Sequence, residues 1–259
     1  MYRERGKLLT NQSVIRGGAY RLAGFLMLLA VWQLAGRSGI AGKTLPAFTD
    51  VLAVYAVSWR RALLLRAASA TAFSAGVGFA LGAVLGCGTA ILARILPALG
   101  PGLDRLAVVV NALPAIALGP ILVVTAGRTE TPILLAAIPV YFLLYVAASS
   151  GLTSASLSLQ QFFAASGAGR WKRLLYLDSI AALPAVLSGL KLAVATAMIG
   201  AVVGEWFGAP TGLGIVILNT MQNFQIPLMW AAVLVAACIS LSGYALIGVA
   251  ERAVRRRFT

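Results

Sequence analysis

Apolar residues in this chain come in blocks about as long as a bilayer is thick, with polar residues collected between them. With ~20 residues needed to cross hydrocarbon as a helix, the pattern predicts six spans. They run from Leu22 to Ala35, Ala67 to Ala93, Leu106 to Ala126, Thr131 to Ala148, Leu183 to Val203 and Pro227 to Val249. The first is short, so tilt or flanking residues must complete it. The longest polar interruption of the second half is Ser158 to Lys191. Small residues from Ala164 to Gly169 lead there into Arg170, Lys172 and Arg173, then a short amphipathic run and Pro184. A polar segment with its own helical period, held between membrane helices, can dock a soluble partner.

Within the spans, local patterns suggest how helices meet. Ser74, Gly78, Gly82, Gly86 and Ala90 recur every four residues and make a smooth ridge on span two. Such a ridge allows close backbone approach in lipid, either within the subunit or at a subunit interface. Span three carries Asn111, Pro114, Gly119 and Pro120, and span four Pro132 and Pro139, so kinks are expected in both. Tyr141, Tyr145, Ser149 and Ser150 give span four a polar edge. Gly208, Pro210, Gly212 and Gly214 mark a turn before span six. No strong internal repeat is visible, which counts against the repeat-built secondary-transporter folds.

Composition narrows the class. Hydrophobic residues make up 60% and charged residues 11%, with a mean hydropathy of +0.92, whereas soluble domains carry about 25% charged residues. The expected fold is all-α, a polytopic membrane protein of about six transmembrane helices. The net charge of +14 reports topology rather than nucleic acid, because the basic residues are scattered between apolar blocks. Six spans put both termini on one side. Fourteen of the 21 Lys and Arg residues fall on that side, six fall on the other and Lys191 falls inside a span. The positive-inside rule then places both termini and the Ser158–Lys191 stretch in the cytoplasm. The expected organisation is a cytoplasmic segment 1–21, a transmembrane domain 22–250 with a cytoplasmic loop at about 151–178, and a basic tail 251–259. The basic N-terminus reads as the lead of an uncleaved first span, because its polar run is long and no small-x-small cleavage site follows Ala35.

Candidate chemistry is sparse. There is no histidine, which removes the commonest general base and metal ligand. Cys87 and Cys238 both lie in apolar runs and form neither a disulfide framework nor a metal site. No catalytic residue and no metal site is expected. Lys191 reads as a lone charge able to snorkel to the surface, and Asp178 and Glu205 read as solvated residues near span ends. A lysine without an acidic partner is poor equipment for proton coupling, so the energy source is expected on a partner. Polar or adaptable positions in spans three to five (Asn111, Tyr141, Tyr145, Thr196 and Met198) are candidates for a translocation path, with ordinary packing as the alternative.

The 158–191 stretch also resembles a family motif. Inner-membrane permeases of ATP-binding-cassette (ABC) importers carry a cytoplasmic Glu-Ala-Ala loop. It is followed by a Gly four residues after the second Ala and a Leu-Pro-type ending. Gln161, Phe162 and Phe163 stand in the Glu-Ala-Ala places, Ala164 follows, and Gly167-Ala168, Arg170-Trp171 and Ala181-Ala182-Leu183-Pro184 match the remainder. Leu45-Pro46 with Val51-Leu52, the block from Glu205 through Gly208-Ala209, Gly212-Leu213-Gly214 and Ile217-Leu218-Asn219, and Gln222-Asn223-Phe224 with Pro227-Leu228 agree in order. The chain thus resembles the permease group for nitrate, taurine and aliphatic sulfonates, and thiamine-precursor pyrimidines. It departs in having Gln161 for the signature Glu, bulky Phe162 and Phe163 for the alanines, and Asp178 and Ser179 for apolar residues. Glutamine keeps an acceptor and loses charge-assisted pairing.

The resemblance implies an ABC type I importer-like permease in a bacterial plasma (inner) membrane, surrounded by lipid. A homodimer would form an alternating-access path, two ATPase subunits would carry ATP and Mg, and this chain would hold no cofactor. Gln161, Phe162, Phe163, Ala164, Gly167, Ala168, Arg170, Trp171 and Pro184 would form the docking loop on a cytoplasmic coupling helix. A periplasmic or lipid-anchored solute-binding protein would deliver the solute, and nucleic acid plays no part. The alternatives are a membrane scaffold, or a secondary transporter not driven by ATP, whose uptake would collapse with a proton ionophore.

Overall fold

A computed structural model describes residues 20, 22–40 and 42–258. The expected segment 1–21, apart from Tyr20, lies outside the described residues, as do the side chains of Lys43, Arg255, Arg256 and Arg257. Among the described residues the elements are helices: α1 Leu22–Ser38, α2 Phe48–Val54, α3 Ser58–Ile95, α4 Gly100–Ala112, α5 Ala115–Thr125, α6 Thr131–Leu152, α7 Leu157–Ala165, α8 Arg170–Arg173, α9 Ser179–Glu205, α10 Leu213–Gln222 and α11 Ile226–Phe258. A π-helical turn, Leu174–Asp178, joins α8 to α9, so Arg170–Glu205 is one helical run. Four runs are long and apolar enough to cross a membrane: α3, α6, Arg170–Glu205 and α11. The α4–α5 pair makes a fifth crossing when taken together, and α1 is a shorter apolar helix.

The third expected span is not one helix. Between α4 and α5 the axis turns by 94°. Leu113 is extended at φ −72°, ψ 121°, as the clash with a following proline ring requires. Pro114 then stands at the N-cap of α5, where its missing N–H leaves no helical bond unmade. Two other boundaries move. Helix α3 starts nine residues before the expected Ala67, so Arg60, Arg61 and Arg66 lie on it rather than in a loop. Its 38 residues give a rod of about 57 Å at 1.5 Å per residue. Helix α11 likewise continues past Val249 to Phe258.

The small-residue ridge fixes the centre of the fold. A Cβ on Gly78, Gly82 or Gly86 would stand 2.5 Å from the carbonyl oxygens of Ile133, Ala137 and Tyr141 respectively. The ridge of α3 therefore seats directly on the backbone of α6, the within-subunit reading of that pattern. Helix α9 approaches α6 from the other side, where Gly200 and Gly204 lie against the backbone of Leu135–Ala136 and of Pro132. Helix α6 is thus sandwiched, and Leu135, Ala136, Val140 and Leu144 are fully buried along it. Dispersion contacts at backbone-to-backbone distance replace the hydrophobic effect that lipid does not supply.

The segment between α1 and α3 folds back on α1 and α11. Trp32 donates to the Pro46 carbonyl at 3.1 Å and packs its ring against Phe48 and Trp230. Trp230 donates to the Thr44 carbonyl at 3.0 Å. The Tyr55 hydroxyl donates to the Ala231 carbonyl at 2.8 Å, and burial pushes this phenol above its ordinary pKa, holding it as a neutral donor.

Candidate functional site

Helix α7 has no buried residue. Leu157, Leu159 and Phe162 are 69%, 49% and 66% exposed, so an apolar helix stands off the bundle with its greasy side uncovered. Its start is fixed by Gln160, whose side-chain amide donates to the Ala155 carbonyl at 2.7 Å. Its end is a Schellman turn. Gly167 N–H donates to the Ala164 carbonyl and Ala168 N–H to the Phe163 carbonyl, both at 3.1 Å. The turn requires a left-handed residue at Gly167, whose φ is +67°. Gly167 and Ala168 of the sequence motif thus form a helix stop that sends the chain into α8.

The structure brings most of the motif residues together. Gln161, Phe162, Phe163 and Ala164 lie on α7, Gly167 and Ala168 in the turn, and Arg170 and Trp171 on α8. Phe162 and Phe163 meet edge-on at 6.1 Å, and Trp171 is 69% exposed. Pro184 lies apart, inside α9 beyond the π turn.

Behind this exposed face is a buried ionic cluster. Asp178, expected to be solvated, is 2% exposed, because arginines from two helices replace water around it. Arg94, in the last turn of α3, donates to Oδ2 from Nη2 at 2.7 Å and from Nε at 2.8 Å. Arg173 of α8 holds its Nε 3.6 Å from Oδ1 and donates from Nη2 to Gln160 Oε1 at 2.9 Å. A continuous polar line therefore joins α7 to α3 through Gln160, Arg173, Asp178 and Arg94. The π turn makes it possible. Five residues apart on an α-helix means about 140° apart around the axis, whereas a π turn brings i and i+5 to one face. A cavity of about 140 Å³ opens among Arg94, Arg170, Arg173 and Asp178.

A second buried carboxylate lies at the last residue of α9. Glu205 is 1% exposed, again not solvated as expected, because it caps another helix. Gly214 N–H donates to its Oε2 at 2.6 Å and Leu213 N–H donates to Thr71 Oγ1 at 2.8 Å, so the first two amides of α10 are met by α9 and α3. A Cβ on Gly212 would overlap the Glu205 carboxylate. Lys191 also differs from expectation. It is not lone: its ammonium lies 3.3 Å from Glu251 of α11 and 4.6 Å from the Tyr244 ring centroid. The signals for these pairs were the two acids themselves and Arg94, an arginine in the last turn of a long apolar helix.

The five path candidates are spread over separate places in the described structure. Asn111 is exposed on α4. Tyr145 is buried, stacks on Tyr141 at 6.3 Å and donates to Asp104 Oδ1 at 2.5 Å. It lines a cavity of about 280 Å³ with Arg94 and Ser149. Thr196 donates to its own helix at the Ala193 carbonyl. Met198 is buried and lines a separate cavity of about 190 Å³ with Phe79 and Ile239. A cavity of about 470 Å³ near the N-terminus of α3, opposite its Arg94 end, is lined by Trp59, Arg66, Asn219, Asn223 and Gln225 among apolar walls.

Residues 78–258 match the family described as binding-protein-dependent transport system inner membrane component. The chain is 31% identical over 220 residues to a probable ABC transporter permease protein of Haemophilus influenzae, covering 84% of this chain and 89% of that one. It is 29% identical to the formylaminopyrimidine transport permease ThiX of Halalkalibacterium halodurans, covering 86% and 89%. It is also 25% identical to the putative aliphatic sulfonates transport permease SsuC of Bacillus subtilis, covering 87% and 83%.

Proposed function

The chain belongs to the family of binding-protein-dependent transport system inner membrane components and is an ABC importer permease subunit, and on that premise we propose that α7 and the turn behind it are its ATPase dock. The observation that carries this reading is the uncovered apolar face of α7, held rigidly by the Gly167 stop. Pre-organised exposed aromatics are what a partner groove uses as anchors. Phe162 enters the groove, Gln161, Phe163 and Ala164 flank it, and Trp171 and Arg170 extend the contact along α8.

ATP and Mg are held by two such ATPase subunits, and their closure draws α7 of each copy of a permease homodimer inward. The helical bundles then rock between outward- and inward-open states, a rigid-body switch. The docking end, both termini and the basic tail lie in the cytoplasm. An external binding protein delivers the solute at the opposite end, where Trp59, Arg66, Asn219 and Asn223 ring a cavity. The solute is a small organic molecule of the kind named for the relatives, an aliphatic sulfonate or a formylaminopyrimidine.

The test is co-purification with the ATPase subunit from membranes. Phe162→Asp should lower the recovered ATPase about 30-fold, the loss of one interface hot spot, while the permease itself stays at its normal level. Full ATPase recovery with Phe162→Asp would sink the docking assignment.

A further inference from the structure

Docking α7 to an ATPase explains where force arrives and leaves open how it reaches the bundle. Covalently, α7 follows α6 after the short link 153–156 and runs on into α8, the π turn and α9. Helix α3 packs along its middle on α6 and directly on α9, whereas its Arg94 end has no covalent link to α7 nearby in sequence. We propose that Asp178 is a positioning residue for transport. It latches α7 and α8 to the Arg94 end of α3, so that the coupling helix drives α3 and α9 as one body. The proposal rests on the docking assignment above and adds the route by which its motion is transmitted.

Three observations support the latch. First, the carboxylate is almost fully buried, bonded by Arg94 of α3 through Oδ2 and faced by Arg173 of α8 at 3.6 Å from Oδ1, an ion-pair distance without a hydrogen bond. Breaking such a pair by removing one partner is strongly unfavourable because the other charge is left uncompensated. The latch therefore resists being pulled apart when α7 moves. Second, Arg173 is shared. Its Nε faces Asp178 while its Nη2 holds Gln160 on α7, so displacing α7 pulls on the same guanidinium that meets the acid. Third, the Arg173–Asp178 approach exists only because of the π turn. Rewinding that turn to α geometry would swing the two side chains to different faces. The latch thus reports the local winding of the helix, which makes it two-state rather than continuously elastic.

This also gives the departure at Gln161 a physical reading. Helix α7 carries no carboxylate at Gln161 or elsewhere to organise neighbouring arginines. In this chain the acid stands on the next helical run instead, at the end of the π turn. Replacing Asp178 should therefore disturb transmission and leave the docking surface intact.

The experiment uses the full chain reconstituted with its ATPase subunit in proteoliposomes, with spin labels at Ser158 on α7 and Ile91 near the end of α3, both exposed. Distances are compared between nucleotide-free and ADP-vanadate-trapped complexes. In the parent chain the separation should stay within about 2 Å, the scale of a concerted helix shift. In Asp178→Asn it should change by about 5 Å, one helical turn, with ATPase co-purification unaltered. Because that variant leaves Arg94 and Arg173 without a counter-charge, Arg94→Gln/Asp178→Asn serves as the second variant. This removes the Arg94–Asp178 pair together, and Arg173, 32% exposed and still bonded to Gln160, keeps access to water; the same loss of concerted movement is expected. An unchanged separation in the double variant overturns the latch while leaving the dock standing. Failure of the parent chain to retain ATPase overturns both.

Discussion

At Glu205 a carboxylate replaces the side-chain cap that α10 lacks in its own sequence. Gly212 precedes the helix with no side chain to offer, and the amides of Leu213 and Gly214 would otherwise be buried without acceptors. Glu205→Ala strips one acceptor from a dry site and should destabilise the purified protein by about 1–3 kcal/mol. Glu205→Gln keeps a carbonyl and should lose less. Thermal unfolding in detergent distinguishes the two, and equal melting points for all three proteins would refute the capping role. This is also where sequence reading stopped short. Glu205 and Asp178 stand near helix ends, which by local pattern means water. Their burial is decided by residues far away in the chain, Thr71 and Arg94, and no periodicity encodes those meetings. Lys191 fails the same way, its acid lying 60 residues on at Glu251.

Elements were more legible where the code is local. A four-residue repeat of small side chains says that something comes close, and α6 does. Gly82→Leu would push a side chain into the Ala137 carbonyl and Val140. We expect a loss of at least about 1–3 kcal/mol, the overpacking range, seen as reduced folded protein after membrane extraction. Gly76→Leu, at an open position on the same helix, should extract normally, and equal losses at both positions would show that helix propensity rather than approach is responsible. The α4–α5 break was half legible. Pro114 announced a kink, but the 94° turn depends on Leu113 going extended and α5 restarting at the proline itself. The motif marked out the segment that forms α7 and its Gly167 stop, whereas the nakedness of α7 was not legible, since its composition would equally suit a buried helix.

For the whole molecule, the arrangement is polar from end to end. Helix α7 and the Arg94–Asp178 cluster occupy one end of the bundle, and the Trp59–Asn223 cavity occupies the other. The proposed orientation predicts a labelling asymmetry. In a background with Cys87 and Cys238 replaced, a cysteine at exposed Asn223 should react with an impermeant maleimide on intact spheroplasts. A cysteine at exposed Ser166 should react only after the membrane is opened. The reverse pattern would invert the topology and the importer reading with it.

Helix α3 also sets a relation between this protein and its solvent. A rod of about 57 Å cannot fit within a hydrocarbon slab of about 30 Å, so it must overhang, lean or do both. Trp59, with the Arg60 guanidinium 5.2 Å from its ring centroid, is an amphipathic pair suited to the headgroup layer. The other end is pinned by Asp178. A helix so tied cannot re-tilt without carrying the Arg170–Glu205 run with it when acyl chains lengthen or shorten. Bilayer thickness therefore bears on α3 as a mechanical load, and lipid composition becomes a control on how readily the permease changes state.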